Sequence, residues 1–468
     1  MFFSENLLYR LITIVSVCVA FYVAINQISI PGLEFLFVVP LTYTICSIVY
    51  RDVFMYHKNG WGLKVYFVMQ FVRFVIGPFL MAKLGDIGYP KNSEVSGYIY
   101  AIVVSCIEII TSYVVLHRYY IKEYKRIVTG RQAINYYCMP SFVGFMLFFS
   151  LVLLVLVRGH LPEIIQQMRF LVVSTQYDVE DLWSYDIWFI HLIFALTVIY
   201  VTSFFQKKND SKPKIVNIII PTIIVFLTAT IVILNNRMLM VNFALTGLAI
   251  LGKAFPMRQK FLQGVMISTM LIVAVSFTMM KNYNIDVSSD ADEVVTEKQQ
   301  LRDLQDYTCG VENIAHSFDM YQMNGSKMGI ENVLSLIAKH TILFKFPGMG
   351  IKVFKDIPTT IDLATTGTEM VSVAGETLFW GTPFFGIFFD IFAIFVIVRI
   401  LVKMEIYAKT SMNLGIIYIC NWLAIIFGFS NCYCIMTLWE TASNLPFLLA
   451  IALLVNNLTL KKTTICKL

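Results

Sequence analysis

Three kinds of side chain stand in this sequence where chemistry, and not packing alone, could explain them. The first kind is charge inside long apolar runs: Arg73, Glu108, Asp390 and Glu440. A charge at mid-bilayer costs about 2.5–3.5 kcal/mol or more unless it is paired or hydrated. Arg73 and Glu108 fall at similar depths in adjacent runs, so a salt bridge between them is open, either pinning two helices or lining a polar cavity. Asp390 and Glu440 have no obvious partner in the sequence, and each either faces a polar cavity or hydrogen-bonds a neighbouring backbone. The second kind is arginine at the ends of runs. Arg158 closes one in "VRGH", Arg169 follows, and Arg237 opens another in "NNRMLMVNF". A planar guanidinium clamps phosphate bidentately, and it also anchors a helix at lipid headgroups. Arg237 stands at a tight hairpin tip, next to a helix N-terminus whose partial positive charge favours an anion. The third kind is a possible base. His340 ends the stretch "MGIENVLSLIAKH", just before "PGMG"; its neutral imidazole would take a proton from an attacking hydroxyl, or else it decorates the polar face of an amphipathic helix. Glu376 begins "ETLFWGTPFFG", as a carboxylate that orients or deprotonates a hydroxyl, or as a first-turn acid complementing the helix dipole.

Other chemistries lack their residues. No Walker A loop, GxGxxG turn, HExxH or CxxC pattern is present, which disfavours ATP-driven, nicotinamide-linked and zinc-dependent activities. Most of the nine cysteines lie in apolar runs, where thiols behave as small hydrophobes.

The elements that must position these residues are membrane helices. The chain has 468 residues, 58% hydrophobic and 14% charged, against about 25% charged in soluble domains. About twelve runs approach the ~20 residues that a ~30 Å hydrocarbon core demands. They lie near 7–26, 31–50, 63–82, 97–117, 139–158, 186–205, 215–234, 237–252, 261–280, 378–402, 411–429 and 433–457. Backbone in lipid must satisfy its own hydrogen bonds, so these are read as helices. The first is read as a span and not a cleaved signal, because no small-residue cleavage site follows it. Lys and Arg gather in short loops such as 118–131, 207–214 and 253–260, and acids in the alternate ones. That is the positive-inside pattern, with both termini cytoplasmic.

The expected fold is therefore an all-α polytopic integral membrane protein. Residues 1–280 carry helices 1–9, residues 281–375 form an extracytoplasmic loop subdomain, and residues 376–468 carry helices 10–12 and a short tail. Within the large loop, Leu301, Leu304, Thr308, Val311, Ile314 and Phe318 recur at helical spacing, as do Ile330, Val333, Leu334, Ile337, Thr341 and Phe344. Each set predicts an amphipathic helix, the second suited to the outer membrane interface. At the mouth of the tenth span, Gly375, Gly381 and Gly386 permit close approach of a ligand or a helix, and Pro383 would loosen the first turns. Trp183, Trp188, Trp380 and Trp439 cluster near the outer boundary, as a headgroup belt or as stacking surfaces.

This combination resembles the bacterial oligosaccharide repeat-unit polymerases of the Wzy type, relatives of the O-antigen ligases. The features carrying the resemblance are the span number, two enlarged outer loops, an outer arginine at a short hairpin, a His-bearing loop helix before "PGMG", and the Glu–Gly mouth. The resemblance implies inverting glycosyl transfer on the outer face of the bacterial cytoplasmic membrane, without metal or cofactor. The donor would be a growing glycan on undecaprenyl pyrophosphate, the acceptor one repeat unit on a second lipid carrier, and the product a surface polysaccharide. It also implies Glu376 or His340 as base, and Arg237, Arg158, Arg169, Arg73 and Glu440 as candidates for holding pyrophosphate or glycan. Partners would be membrane lipids, a flippase and a chain-length regulator, with no nucleic acid. The alternatives are an O-antigen-ligase-like transferase and a transporter or flippase of lipid-linked sugars.

Overall fold

A computed structural model describes residues 5–54, 60–87, 93–120, 185–211, 214–232, 237–258, 330–341, 371–411 and 413–464, most of 301–324, and short pieces within 144–151, 169–170 and 261–264. Among these residues the chain is helical, apart from one antiparallel pair of two-residue strands. Five helices among the described residues are long and apolar enough to cross a membrane: Trp61–Leu84, Val95–Tyr120, Ile190–Asn209, Pro383–Thr410 and Ile435–Leu454. Shorter apolar helices cover Tyr9–Ile25, Val38–Val49, Val216–Ala229, Leu239–Ala254 and Leu414–Gly428. These are the helices of a multi-pass membrane protein. The spans expected over 139–158 and 261–280 lie largely outside the described residues, as do Arg158, the "PGMG" break and the first part of the long loop.

The chain divides into two compact units, each assembled from segments remote in sequence. The first comprises residues 1–131, 294–405 and 426–440; the second comprises 132–293, 406–425 and 441–468.

In the first unit, α1 (Glu5–Ile25) packs on α2 (Val38–Val49), and α2 on α4 (Val95–Tyr120). Between α2 and α4 in the chain runs α3 (Trp61–Leu84), whose middle, Val72–Ile76, is a π-helical turn. Pro78 explains the wide turn. It has no N–H to donate to Phe74, and its ring would crowd that carbonyl; instead the N–H of Gly77 reaches the carbonyl of Val72. The loop helix α8 (Val311–Asn324) lies along α4. It buries Val311, Ile314, Ala315 and Phe318, four positions of one helical face. Gly97 on α4 permits this approach, since a Cβ there would lie 3.0 Å from the carbonyl of Ala315. The amphipathic pattern expected from Leu301 to Phe318 is interrupted at Cys309, which adopts a left-handed φ of 48°; a β-carbon disfavours continuing a helix through that conformation.

The mouth of the expected tenth span is built differently from its sequence reading. A six-residue helix α10 (Val373–Leu378) comes first. The chain then turns, and α11 (Pro383–Thr410) starts at the proline itself. Pro383 does not loosen the span; it opens it, because a first-position proline loses no hydrogen bond and already has a helical φ. Gly386 makes the turn possible: a Cβ there would stand 2.9 Å from the Cα of Leu378.

In the second unit, α5 (Tyr185–Ser211), α6 (Val216–Thr230) and α7 (Arg237–Ala254) pack pairwise. Phe243 of α7 meets Trp422 of α12 (Leu414–Gly428) edge-on, with ring centroids 4.8 Å apart. The seventh apolar run ends earlier as a helix than its length predicts. Ile231–Val232 form a strand paired antiparallel with Arg169–Phe170, so that Arg169 lies opposite Val232. Two β-branched residues in succession suit an extended backbone.

Candidate functional site

Three sequence candidates converge in the first unit. On α9 (Ile330–His340), Asn332 and Ser335 are buried, whereas Glu331 and Leu334 are exposed. At its end, Nδ1 of His340 lies 3.0 Å from Oε2 of Glu440, near the start of α13 (Ile435–Thr464). The next residues along each helix make a second link. Nε1–H of Trp439 donates to Oγ1 of Thr341 at 2.8 Å, and that hydroxyl donates to the carbonyl of Ile337. Positions 340–341 are thereby fastened to positions 439–440. The pair is largely but not wholly enclosed, with the His340 and Glu440 side chains 17% and 7% exposed. Trp439 stays 44% exposed beside them.

Glu376 stands one step behind. It is fully buried, and its Oε2 accepts the N–H of Ile435, the first residue of α13, at 2.6 Å. A carboxylate at a helix N-terminus satisfies an otherwise orphaned donor and complements the dipole. Glu376 therefore caps α13, the helix that carries Trp439 and Glu440. Its own helix is capped by Ser372, whose Oγ accepts the N–H of Gly375 at 2.9 Å. Below this turn, Phe318 of α8 packs with Val371, Leu378, Phe379 and Cys434. The line of support thus runs from the loop helix through the α10 turn to the first residues of α13.

Sequence reasoning placed both His340 and Glu440 among the candidates but not together, since 100 positions separate them. It missed Thr341 as an anchor for Trp439, for which a lone hydroxyl on an amphipathic helix gives no signal. Arg73 and Glu108 do meet: Nη2 of Arg73 lies 2.9 Å from Oε2 of Glu108, both nearly fully buried. Arg73 Nη1 also donates to the carbonyl of Asn431 at 3.4 Å. This ion pair belongs to the interior of the helical bundle, on α3 and α4. In the second unit the backbone of Arg169 is paired with the strand that precedes Arg237 by a few residues, and Arg237 is the first residue of α7. The side chains of Arg169 and Arg237 lie outside the described structure, as does Arg158 altogether.

Comparison of the chain with protein-family models, curated proteins and solved structures finds no match. The chemistry is accordingly argued from the residues alone. A carboxylate that accepts Nδ1–H of an imidazole fixes the tautomer, so that Nε2 keeps its lone pair. It also stabilises the imidazolium formed when Nε2 takes a proton. The His340–Glu440 pair has the contact such a base requires. Among the described residues, no three His, Cys, Asp or Glu side chains converge as a metal site would need.

Proposed function

We propose that this protein is a glycosyltransferase of the bacterial cytoplasmic membrane that joins lipid-linked oligosaccharide repeat units into a surface polysaccharide. The observation that carries this reading is the His340–Glu440 contact, set where a loop helix meets the start of a membrane-grade helix, beside the exposed Trp439. In this scheme Nε2 of His340 takes the proton of the acceptor hydroxyl. The hydroxyl oxygen attacks the anomeric carbon of the donor, and the bond to the lipid pyrophosphate breaks with its electron pair going to the phosphate oxygen. Glu440 compensates the imidazolium charge. Pyrophosphate is already a good leaving group, so the protein has to bind its charge and orient the acceptor. A guanidinium at the end of an apolar run is the kind of group suited to that charge. Trp439 offers a stacking face to a sugar ring. Glu376 is assigned the supporting role of capping α13, and His340 the role of base.

The test is elongation of a purified lipid-linked repeat by the protein in liposomes with no ion gradient. Wild type should build a ladder of lengths, and His340→Ala should leave the single repeat while keeping its place in the membrane. A ladder unchanged in His340→Ala would remove the base from this scheme. A ligase-like transferase would share the chemistry and differ in its acceptor. Transport is the second reading, favoured by one observation, the buried charges around Arg73. It predicts gradient-driven flux of lipid-linked sugar and no elongation.

A further inference from the structure

The interior of the first unit holds more charge than the Arg73–Glu108 pair explains. Tyr66, Gln70 and Arg73 follow one another at helical spacing on α3, and Ser105, Glu108 and Ser112 do so on α4. The two rows meet. The hydroxyl of Tyr66 donates to Oγ of Ser112 at 2.6 Å, and Arg73 pairs with Glu108. From α11, Asp390 reaches into the same region: it is 1% exposed and within electrostatic range of Glu108, Arg73, Tyr66 and Tyr100. Among the described residues neither carboxylate oxygen of Asp390 has a hydrogen-bond partner, and neither amide atom of fully buried Gln70 has one. The described groups within electrostatic range of Asp390 are thus Tyr66 and Arg73 from α3, with Tyr100 and Glu108 from α4; Gln70 lies on the same row of α3 as Tyr66 and Arg73. Among the described residues one guanidinium stands against two carboxyl groups, with no other charge acting on Asp390.

Charge counting decides what the site must hold. An uncompensated buried charge costs several kcal/mol, and a single guanidinium compensates one carboxylate. We infer that Arg73, Glu108 and Asp390 form a single-proton binding site, in which Glu108 is ionised against Arg73 and Asp390 carries the proton. A proton needs one oxygen. A metal cation needs several converging ligands, and no three carboxylate, imidazole or thiol side chains converge among the described residues. The π-helical turn sharpens the assignment. Arg73 lies within Val72–Ile76, and such turns are often found where a helix must aim a functional side chain. This site stands independently of the glycan reading, for it concerns the buried interior of the bundle and not the His340 end.

Infrared spectroscopy of the purified full chain at neutral pH, in H2O and in D2O, reads the proton directly. Wild type should show a carboxylic-acid C=O band, shifted in D2O, that is lost in Asp390→Asn. It should also be lost in Glu108→Gln, because Asp390 then ionises against Arg73. It should double in Arg73→Gln, where both acids are left protonated. Asp390→Asn imitates the neutral acid and should fold with unchanged melting temperature. A wild-type band that survives Asp390→Asn, or a wild type with no such band in sodium-containing buffer, overturns the inference, the latter in favour of a bound cation. The double variant Arg73→Gln/Glu108→Gln removes one charge of each sign and carries the same test if a single variant does not fold. It should keep one band, and absence of that band shows Asp390 ionised and overturns the site.

Discussion

A histidine becomes a useful base when something fixes which nitrogen carries its proton, and here that task falls to Glu440. Replacing Glu440 by Gln keeps a hydrogen-bonding group of the same size but can leave the wrong nitrogen protonated. Under the proposed function, Glu440→Gln should lower kcat by about 10²–10⁴-fold with KM little changed, and Glu440→Asp should recover part of the loss. Kinetics of repeat elongation check this; a KM effect alone would make Glu440 a binding residue. A second residue-scale prediction concerns Asp319 of α8, outside the expected spans, whose Oδ2 accepts the N–H of Glu94. Burial, the largest effect on it, raises its carboxyl above the usual range, although bonds from Ser93 and Glu94 pull the other way. The folded state then holds this proton more tightly than the unfolded one. Its contribution to stability is fully present below the unfolded value and is lost as pH rises through the folded one. Asp319→Asn keeps an acceptor and cannot ionise, so it should match the melting temperature of wild type at the acid end and gain over it as pH rises above the ordinary carboxylate range. At this scale the sequence made the Arg73–Glu108 pair legible, because two opposite charges at matching depth in neighbouring apolar runs have few other partners. It left His340–Glu440 and the capping of Ile435 by Glu376 unreadable. Both depend on chain reversals far from either residue, and a reader of the sequence sees only the first turn to which Glu376 itself belongs.

Elements were legible where periodicity alone decides them. α8 forms as a helix where its spacing predicts one, but its burial goes beyond the apolar stripe, since Glu312, Asn313 and Ser317 are buried along with Val311, Ile314 and Phe318. α9 also forms as a helix, but with Asn332 and Ser335 buried and Glu331 and Leu334 exposed. Periodicity finds two faces without saying which one meets protein, and in a membrane protein the apolar face has a second solvent available. The α10–α11 turn was misread for a different reason. Proline inside a run and proline opening a helix look alike when the run is continuous in hydrophobicity. That turn depends on Gly386, because the atom a methyl group would strike is the backbone Cα of Leu378 at 2.9 Å. Backbone cannot step aside as the tip of a flexible side chain can, so Gly386→Ala should destabilise the protein by about 1–3 kcal/mol, the cost of overpacking a tight site. Thermal unfolding in detergent reads this. Gly77→Ala is the control, since the nearest atom there is the carbonyl oxygen of Val72 at 3.7 Å, an ordinary van der Waals contact, and it should lose less.

At the scale of the molecule, the helical membrane character was written in the composition, but the grouping of segments was not. The first unit gathers residues 1–131 with 294–405 and 426–440. It does so because α8 docks on α4, a contact between segments some two hundred positions apart that hydropathy cannot register. Orientation across the bilayer, by contrast, is a property that charge in short loops does govern. The basic loops 118–131, 207–214 and 253–260 should all face the cytoplasm, and the acidic stretch 285–298 and the helix α8 should face outward. Reporter fusions test each point. A reporter active only in the cytoplasm should work when joined after residue 126, 210 or 258, and one active only outside should work after residue 298 or 324. The proposed chemistry depends on this outcome as much as on any side chain. His340 lies on the same side as α8 if 301–341 does not cross the membrane, and lipid-linked repeats are joined on the outer face. If the fusion after residue 324 reports the cytoplasm, His340 and Glu440 face the wrong compartment for polymerisation. Their contact would then be a structural clasp between α9 and α13, while the buried proton site of α3, α4 and α11 would be unaffected.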